Sequence, residues 1–235
     1  MRAAVGFDVI AIVIPAYNEA ATVAQVVQAV LPFGRPIVVD DCSNDRTGEL
    51  ARAAGAEVVR HDANRGYDGA LQSGFEAADR LGAAIVVTFD ADGQHEPSMI
   101  ARLSAPILAG EAQLVLGQRP QPARLSEWVF DLYTRWRFGV PDILCGLKAY
   151  AIALYRRHGR FDGTSSIGTE LALVALRSGL PHRLVPVPIH DRAGRPRFGS
   201  LLRANARIFR AFAFAVAADI RQTATGRGGL DRSMA

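Results

Sequence analysis

Two carboxylates one residue apart, Asp90 and Asp92, close the apolar run Ile85-Val86-Val87-Thr88-Phe89 and are followed by Gly93, Gln94 and His95. The run is rich in β-branched residues and short enough for a buried strand. In an open α/β sheet, ligands bind in the crevice outside the carboxyl ends of the strands. Two hard oxygen donors at that lip can hold Mg2+ or Mn2+ and leave positions for water and substrate phosphates. Asp and Gly are also ordinary turn residues, so the pair acquires meaning only through companions.

The companions lie upstream. Val9 to Ile14 reads as a first strand stopped by Pro15, with Tyr17, Asn18 and Glu19 directly after it. A second strand, Pro36 to Val39, runs into Asp40 and Asp41. Unrelated turns would scatter acids over both edges of a sheet, whereas one crevice collects them at one edge. No Gly-x-Gly-x-x-Gly follows the first strand and no lysine-bearing phosphate loop occurs, which disfavours dinucleotide binding and P-loop phosphoryl transfer.

The elements that must hold these residues alternate. A helix is expected from about Ala20 to Leu31, and another to about Ala54 after the capping residues of Cys42-Ser43-Asn44-Asp45-Arg46-Thr47. A short strand over Glu57 to Arg60 follows, then a turn at Asn64-Arg65-Gly66-Tyr67-Asp68-Gly69 opening a helix to about Leu81. Strands alternating with helices of this length predict βαβ units and a mostly parallel sheet. Across 235 residues, 49% hydrophobic and 21% charged residues are ordinary for a globular α/β protein. The net charge of +4 suits anionic partners, though no nucleic-acid partner is expected. Cys42 and Cys145 have no metal-ligand spacing and fit a reducing cytoplasm; the stretch before Val9 does not read as a signal peptide.

Ile14-Pro15-Ala16-Tyr17-Asn18-Glu19, Val39-Asp40-Asp41-Cys42-Ser43-Asn44-Asp45-Arg46-Thr47, Asn64-Arg65-Gly66 with Gly69-Ala70, and Asp90-Ala91-Asp92-Gly93-Gln94-His95 together resemble the family 2 glycosyltransferases. Within that family the dolichyl- and polyprenyl-phosphate sugar transferases are the most similar. The resemblance implies a GT-A fold: one glycosyltransferase domain over 1–222, with a nucleotide-sugar half (1–120), an acceptor half (121–222) and a disordered tail (223–235). It implies a hexosyltransferase that moves a sugar from a nucleotide sugar to a polyprenyl phosphate, with inversion and with Mg2+ or Mn2+. Pro15, Tyr17, Glu19, Asp40, Asp41, Ser43, Asn64, Gly66, Gly69, Asp90 and Ala91 would bind the donor, and Asp92, Gln94 and Asp90 the metal. Asp40 would accept hydrogen bonds from the base. Cys42, where glycine is usual, and Tyr67-Asp68 depart from the family pattern.

The same resemblance extends over Asp142 to Ala149 and the Glu170 helix. Arg119, at the end of the strand Gln113 to Gly117, would grip the acceptor phosphate, with Arg135, Arg137, Lys148, Arg192 and Arg197 nearby; Arg124 is a further arginine here. Arg135 and Arg137 fall on a helix expected from Leu125 to Phe138. An ionised acceptor phosphate needs little base catalysis; a hydroxyl acceptor would need a base, for which Asp142 and Glu170 are the candidates. A glycan or small-molecule hydroxyl acceptor, or a non-catalytic nucleotide-sugar binder, are the alternative readings. Val185 to Ile189 reads as a proline-broken edge strand. From Arg192 on, Arg192, Arg195, Arg197, Arg203, Arg207 and Arg210 occur with no acid among them, and Phe209, Phe212, Phe214 and Val216 supply apolar surface. Ile208 to Ala218 is too short to span a bilayer, so a basic amphipathic helix on anionic headgroups is expected, placing the protein peripherally at the inner face of the membrane. Packing on the domain itself or on a second subunit of a homo-oligomer is the competing reading.

Overall fold

The computed structural model describes residues 9–120, 125–163, 166–188 and 201–225. Seven strands form within them: β1 (Ile10–Ala16), β2 (Arg35–Asp40), β3 (Glu57–Arg60), β4 (Ile85–Thr88), β5 (Leu114–Gln118), β6 (Lys148–Ala151) and β7 (His182–Pro186). The helices are α1 (Val23–Val30), α2 (Thr47–Ala53), α3 (Gly66–Arg80), α4 (Met99–Leu108), α5 (Leu125–Phe138), α6 (Ile152–His158), α7 (Glu170–Arg177) and α8 (Leu201–Thr225). The strands make one sheet in the order β3-β2-β1-β4-β6-β5-β7. β6 alone runs antiparallel to its neighbours, so the sheet is mostly parallel, as the alternating pattern predicts.

Alternation along β1 explains the layering. Ala11 and Val13 face a core shared with α3, α5, α6, α7 and α8, while Ile10, Ile12 and Ile14 face one shared with α1, α2 and α4. Helices thus cover both faces, and strand pairing across β4, β6 and β5 joins the two halves of the chain into one sheet. Gly74 lets α3 lie against β1, since a Cβ there would stand 2.2 Å from a Val13 methyl.

Three expectations need correction. Proline does not stop β1: the parallel register with β2 continues through Pro15 and Ala16 to Asp40. Val13 carbonyl accepts from Phe89, so by alternation the ring nitrogen of Pro15 faces the side of β4, which has already ended at Thr88; no ladder bond is lost. β6 and α6, following one another without a loop, were not expected at all. α8 reaches Thr225, beyond the point where a disordered tail was expected to begin. It packs on the domain through Ile208, Ala211 and Ala215, with Phe212 edge-on to Phe130 and Tyr133 of α5. Arg124, Arg192, Arg195, Arg197 and the last ten residues lie outside the described residues. Among the described residues no helix is long and apolar enough to cross a membrane.

Candidate functional site

The adjacent parallel strands β2, β1 and β4 end at one edge, and the loops that follow them are tied to one another. Asn18 amide donates to Ser43 Oγ at 3.0 Å, Glu19 amide to Thr47 Oγ1 at 2.8 Å, and Asn44 amide to Asn18 Oδ1 at 2.8 Å. Tyr17 stands half exposed at the lip. Asp40 is fully buried: one carboxylate oxygen accepts from the Ser43 amide (2.9 Å), the other from Arg60 Nη1 (2.7 Å). Gly48 makes this possible, for a Cβ there would lie 2.5 Å from Asp40 Oδ2. Between the two acids and Ser43 the chain turns sharply, with Cys42 amide on the Asp40 carbonyl and Cys42 itself at φ +63°.

Asp41 holds the next wall of the crevice. Its carboxylate accepts from the amides of Arg65 (2.7 Å) and Gly66 (2.8 Å), and its carbonyl accepts from Asn64 Nδ2. A buried chain continues from the same carboxylate through His61 Nδ1 (2.7 Å) to His61 Nε2 and Ser73 Oγ (2.9 Å). The start of α3, where Asn64, Gly66 and Gly69 sit, is therefore positioned by an acid at the end of β2. Neither His61, Ser73 nor Arg60 was singled out from the sequence. His61 and Arg60 carry the one available signal, a polar pair at the end of a strand beside an acid-ended one.

At the end of β4, Asp92 is nearly buried and its Oδ1 accepts from the Gln94 amide at 3.2 Å. Ala91 between the acids is fully buried. Asp90 lies against the backbone of Gly146, where a Cβ would come within 2.4 Å of Oδ2, and His95 Nε2 is 3.5 Å from the same oxygen. His95 Nδ1 is buried without a hydrogen-bond partner among the described residues, so this corner holds polar capacity beyond what the protein itself satisfies. Among the described residues no cluster of three or more His, Cys, Asp or Glu could hold a metal. Two carboxylates and a glutamine fit a cation that takes its remaining oxygens from diphosphate and water, as Mg2+ commonly does.

On the far side of β4, Arg119 donates to Asp142 from its amide, Nε and Nη2, and from Nη2 to Glu127 of α5. Burial works against its charge, but the Asp142 carboxylate outweighs that and raises the guanidinium pKa further. Asp142, at φ +53°, is fixed in turn by its backbone amide, which donates to Asp131 Oδ1. Glu170, the first residue of α7, accepts from Arg160 Nε (2.9 Å) and the Gly163 amide (2.8 Å), with His158 at 3.3 Å.

Lys148 departs most from its expected place. It is buried, its ammonium donates to the Gly168 carbonyl at 3.2 Å, and burial lowers its pKa. That is a loop tie rather than an exposed charge for an acceptor. The same loop is gripped from the other side by Asp68, whose carboxylate accepts from the amides of Ile167 and Gly168. Both of those residues have positive φ, +57° and +67°, which turns successive N–H groups inward on one anion. Arg135 and Arg137 point outward, paired at the surface with Asp131 and Asp219. Arg192 and Arg197 fall outside the described residues, so among the residues expected at the acceptor it is Arg119, bonded to Asp142, that the fold turns inward at the end of β5.

Comparison with known proteins agrees with this geometry. The sequence profile of Glycosyl transferase family 2 matches residues 11–141. An undecaprenyl-phosphate mannosyltransferase of Micrococcus luteus is 31% identical over 200 residues, covering 75% of this chain and 81% of the relative. A polyprenol monophosphomannose synthase of Mycolicibacterium smegmatis is 32% identical over 160 residues; 59% of this chain is matched, and 60% of that protein's length. Among solved structures, glucosyl-3-phosphoglycerate synthase from Mycobacterium tuberculosis in complex with Mg2+ and uridine diphosphate superposes with a TM-score of 0.69. That match has 25% identity over 95% of this chain and 80% of the other. The architecture is that of the GT-A glycosyltransferases, and the chain belongs to glycosyl transferase family 2.

Proposed function

We propose that this glycosyltransferase moves a sugar from a nucleotide-diphosphate sugar to a polyprenyl phosphate, with a divalent cation held by Asp92, Asp90 and Gln94. The observation that carries the reading is the convergence of the β1, β2 and β4 ends, which gathers Tyr17, Glu19, Asp40, Asp41, Asp90 and Asp92 on one edge. Bound there, Mg2+ or Mn2+ would supply Lewis-acid neutralisation of the departing nucleoside diphosphate.

The chain's own residues do the rest. The Asn18–Ser43 and Glu19–Thr47 ties close the nucleotide end, and Asp41 fixes the glycine turn along which donor backbone contacts are made. Asp142 and Glu127 take the Nε–Nη2 edge of Arg119 and hold the guanidinium in one orientation, so that Nη1 meets an acceptor phosphate without first being ordered. The two candidate bases favour a phosphate acceptor over a hydroxyl one. The oxygens of Asp142 are engaged by Arg119 and those of Glu170 by Arg160 and Gly163, whereas a phosphate oxygen attacks without deprotonation. Attack opposite the leaving diphosphate gives inversion. The names of the relatives, undecaprenyl-phosphate and polyprenol transferases, support the same acceptor class.

A short-chain polyprenyl phosphate and the matching free polyprenol, offered with a panel of nucleotide sugars and Mn2+, separate the acceptors. Glycosylation of the phosphate alone is expected. Preference for the alcohol would overturn the reading.

A further inference from the structure

Helix α5 carries two different faces. Its inner side presents Glu127 to Arg119 and Asp131 to the Asp142 amide, at the acceptor end of the crevice. Its outer side presents Trp128, Leu132 and Trp136, which recur every four residues and so form one stripe. They are 51%, 54% and 80% exposed. Large apolar side chains at that exposure, contiguous on one helix, mark a contact surface rather than chance.

α8 lies alongside and parallel to α5: Ser126 Oγ donates to Asn205 Oδ1, Phe130 meets Phe212 edge-on, and Arg137 pairs with Asp219 further on. With Ile208, Ala211 and Ala215 turned inward, helical spacing puts Phe209 and Ile220 on the outer side of this seam, both well exposed. The charges around this apolar band have one sign. Among the described residues, the exposed charged side chains of the two helices are Arg135, Arg137, Arg207, Arg210 and Arg221. The acids of the pair, Glu127, Asp131 and Asp219, are all turned inward or engaged.

We infer that the joint outer face of α5 and α8 docks on an anionic lipid surface, with Trp128 and Trp136 seated at the headgroup level. Indole rings are at home there, with an apolar body and a polar N–H. Arg210, on the outer side of α8, draws the face to negative headgroups, while Arg135 and Arg137 carry their own counterions in Asp131 and Asp219. A second copy of this chain fits less well. A two-fold contact through the same face would set arginines against arginines with no exposed acid to meet them. The inference rests on the lipid-phosphate acceptor proposed above. It adds that the acceptor's phosphate enters beside α5, whose inner face is bonded to Arg119.

Co-sedimentation of the full chain with vesicles of phosphatidylglycerol and phosphatidylcholine, against phosphatidylcholine alone, tests it. Binding is expected with the anionic vesicles only. It should fall about tenfold or more in Trp128→Ser/Trp136→Ser, as two buried rings are removed, and should weaken in Arg210→Gln/Arg221→Gln and in raised salt. No binding by the wild type, or equal binding by the tryptophan variant, would overturn it. So would light scattering that shows a dimer broken by the tryptophan change, which would assign the face to a second copy. Transfer to a water-soluble, short-chain lipid phosphate is measured in parallel. The tryptophan variant should retain it. If the wild type binds vesicles through its tryptophans yet transfers nothing, the surface stands and the acceptor reading alone fails.

Discussion

At the scale of single residues, the buried strand-end acids serve as brackets for backbone, besides the ligand contacts proposed for them. Asp40→Ala strips partners from the Ser43 amide and Arg60 together. It is expected to lower unfolding stability by about 1–3 kcal/mol, the cost of leaving a buried donor unsatisfied, and to raise the donor KM. Chemical denaturation with nucleotide titration of the same variant checks both; stability loss with unchanged donor affinity would confine Asp40 to the loop. Cys42 makes a sharper case. At φ +63° it occupies a left-handed position that costs an ordinary residue about 1–2 kcal/mol. Cys42→Gly should therefore hold or raise stability by up to about 1 kcal/mol, after the entropy of glycine in the unfolded chain is counted. Cys42→Val should lower it. Equal losses in both variants would show that the thiol's contact with the Asp62 carbonyl matters more than the backbone. The other thiol, Cys145, is buried, which pushes its pKa up to about 11 and leaves it protonated. That these acids stand at strand ends was legible in the sequence. Their partners were not, because a carboxylate does not announce which of many arginines, histidines or amides it will meet.

At the scale of elements, the apolar runs of the first half read correctly as strands because each is locally complete, with β-branched residues bounded by polar turns. β6 escaped notice for the opposite reason. Lys148-Ala149-Tyr150-Ala151 has no such run, and its strand exists only through antiparallel pairing with β4 and β5, residues far away in sequence. Pro15 misled because the rule against proline in strands assumes a neighbour waiting for the N–H. The tie between α3 and the loop before α7 was likewise invisible, since Asp68 and Gly168 are 100 residues apart. That tie titrates. Burial first, then the Asp162 charge, raises the Asp68 carboxyl to about 6. Between about pH 4 and 6 the folded chain then holds a proton that the unfolded chain has released, so stability contributed here falls as pH rises through that window and levels off above it. Asp68→Asn removes the titration. Its stability relative to wild type should shift in the variant's favour between about pH 4.5 and 7.5, by paired urea unfolding curves. A difference that does not move with pH would contradict the assignment.

For the molecule as a whole, one sheet collects the donor-side loops at the ends of β2, β1 and β4 and sets the Arg119–Asp142 pair beside them, while α5 joins that pair to an apolar outer face. The fold class and the elements of the first half were legible because their signals are short and recur in order along the chain. The residues beyond β5 were less so, because their arginines look alike in sequence and the fold sends them to different places: Arg119 inward, Arg135 and Arg137 outward. The central claim is that the acid pair after β4 supports departure of the nucleoside diphosphate. Asp92 bears on it most directly: its Oδ1 accepts from the Gln94 amide in a strand-end turn. Sugar transfer from the preferred nucleotide sugar to a short-chain polyprenyl phosphate, in Mn2+, is measured for wild type and Asp92→Ala, with the thermal midpoint of each recorded alongside. A fall in kcat of at least about 100-fold is expected in Asp92→Ala, the scale of losing a main stabiliser of leaving-group charge, with a midpoint within a few degrees of wild type. Turnover at the wild-type rate in Asp92→Ala, or in wild type with excess chelator, would contradict it.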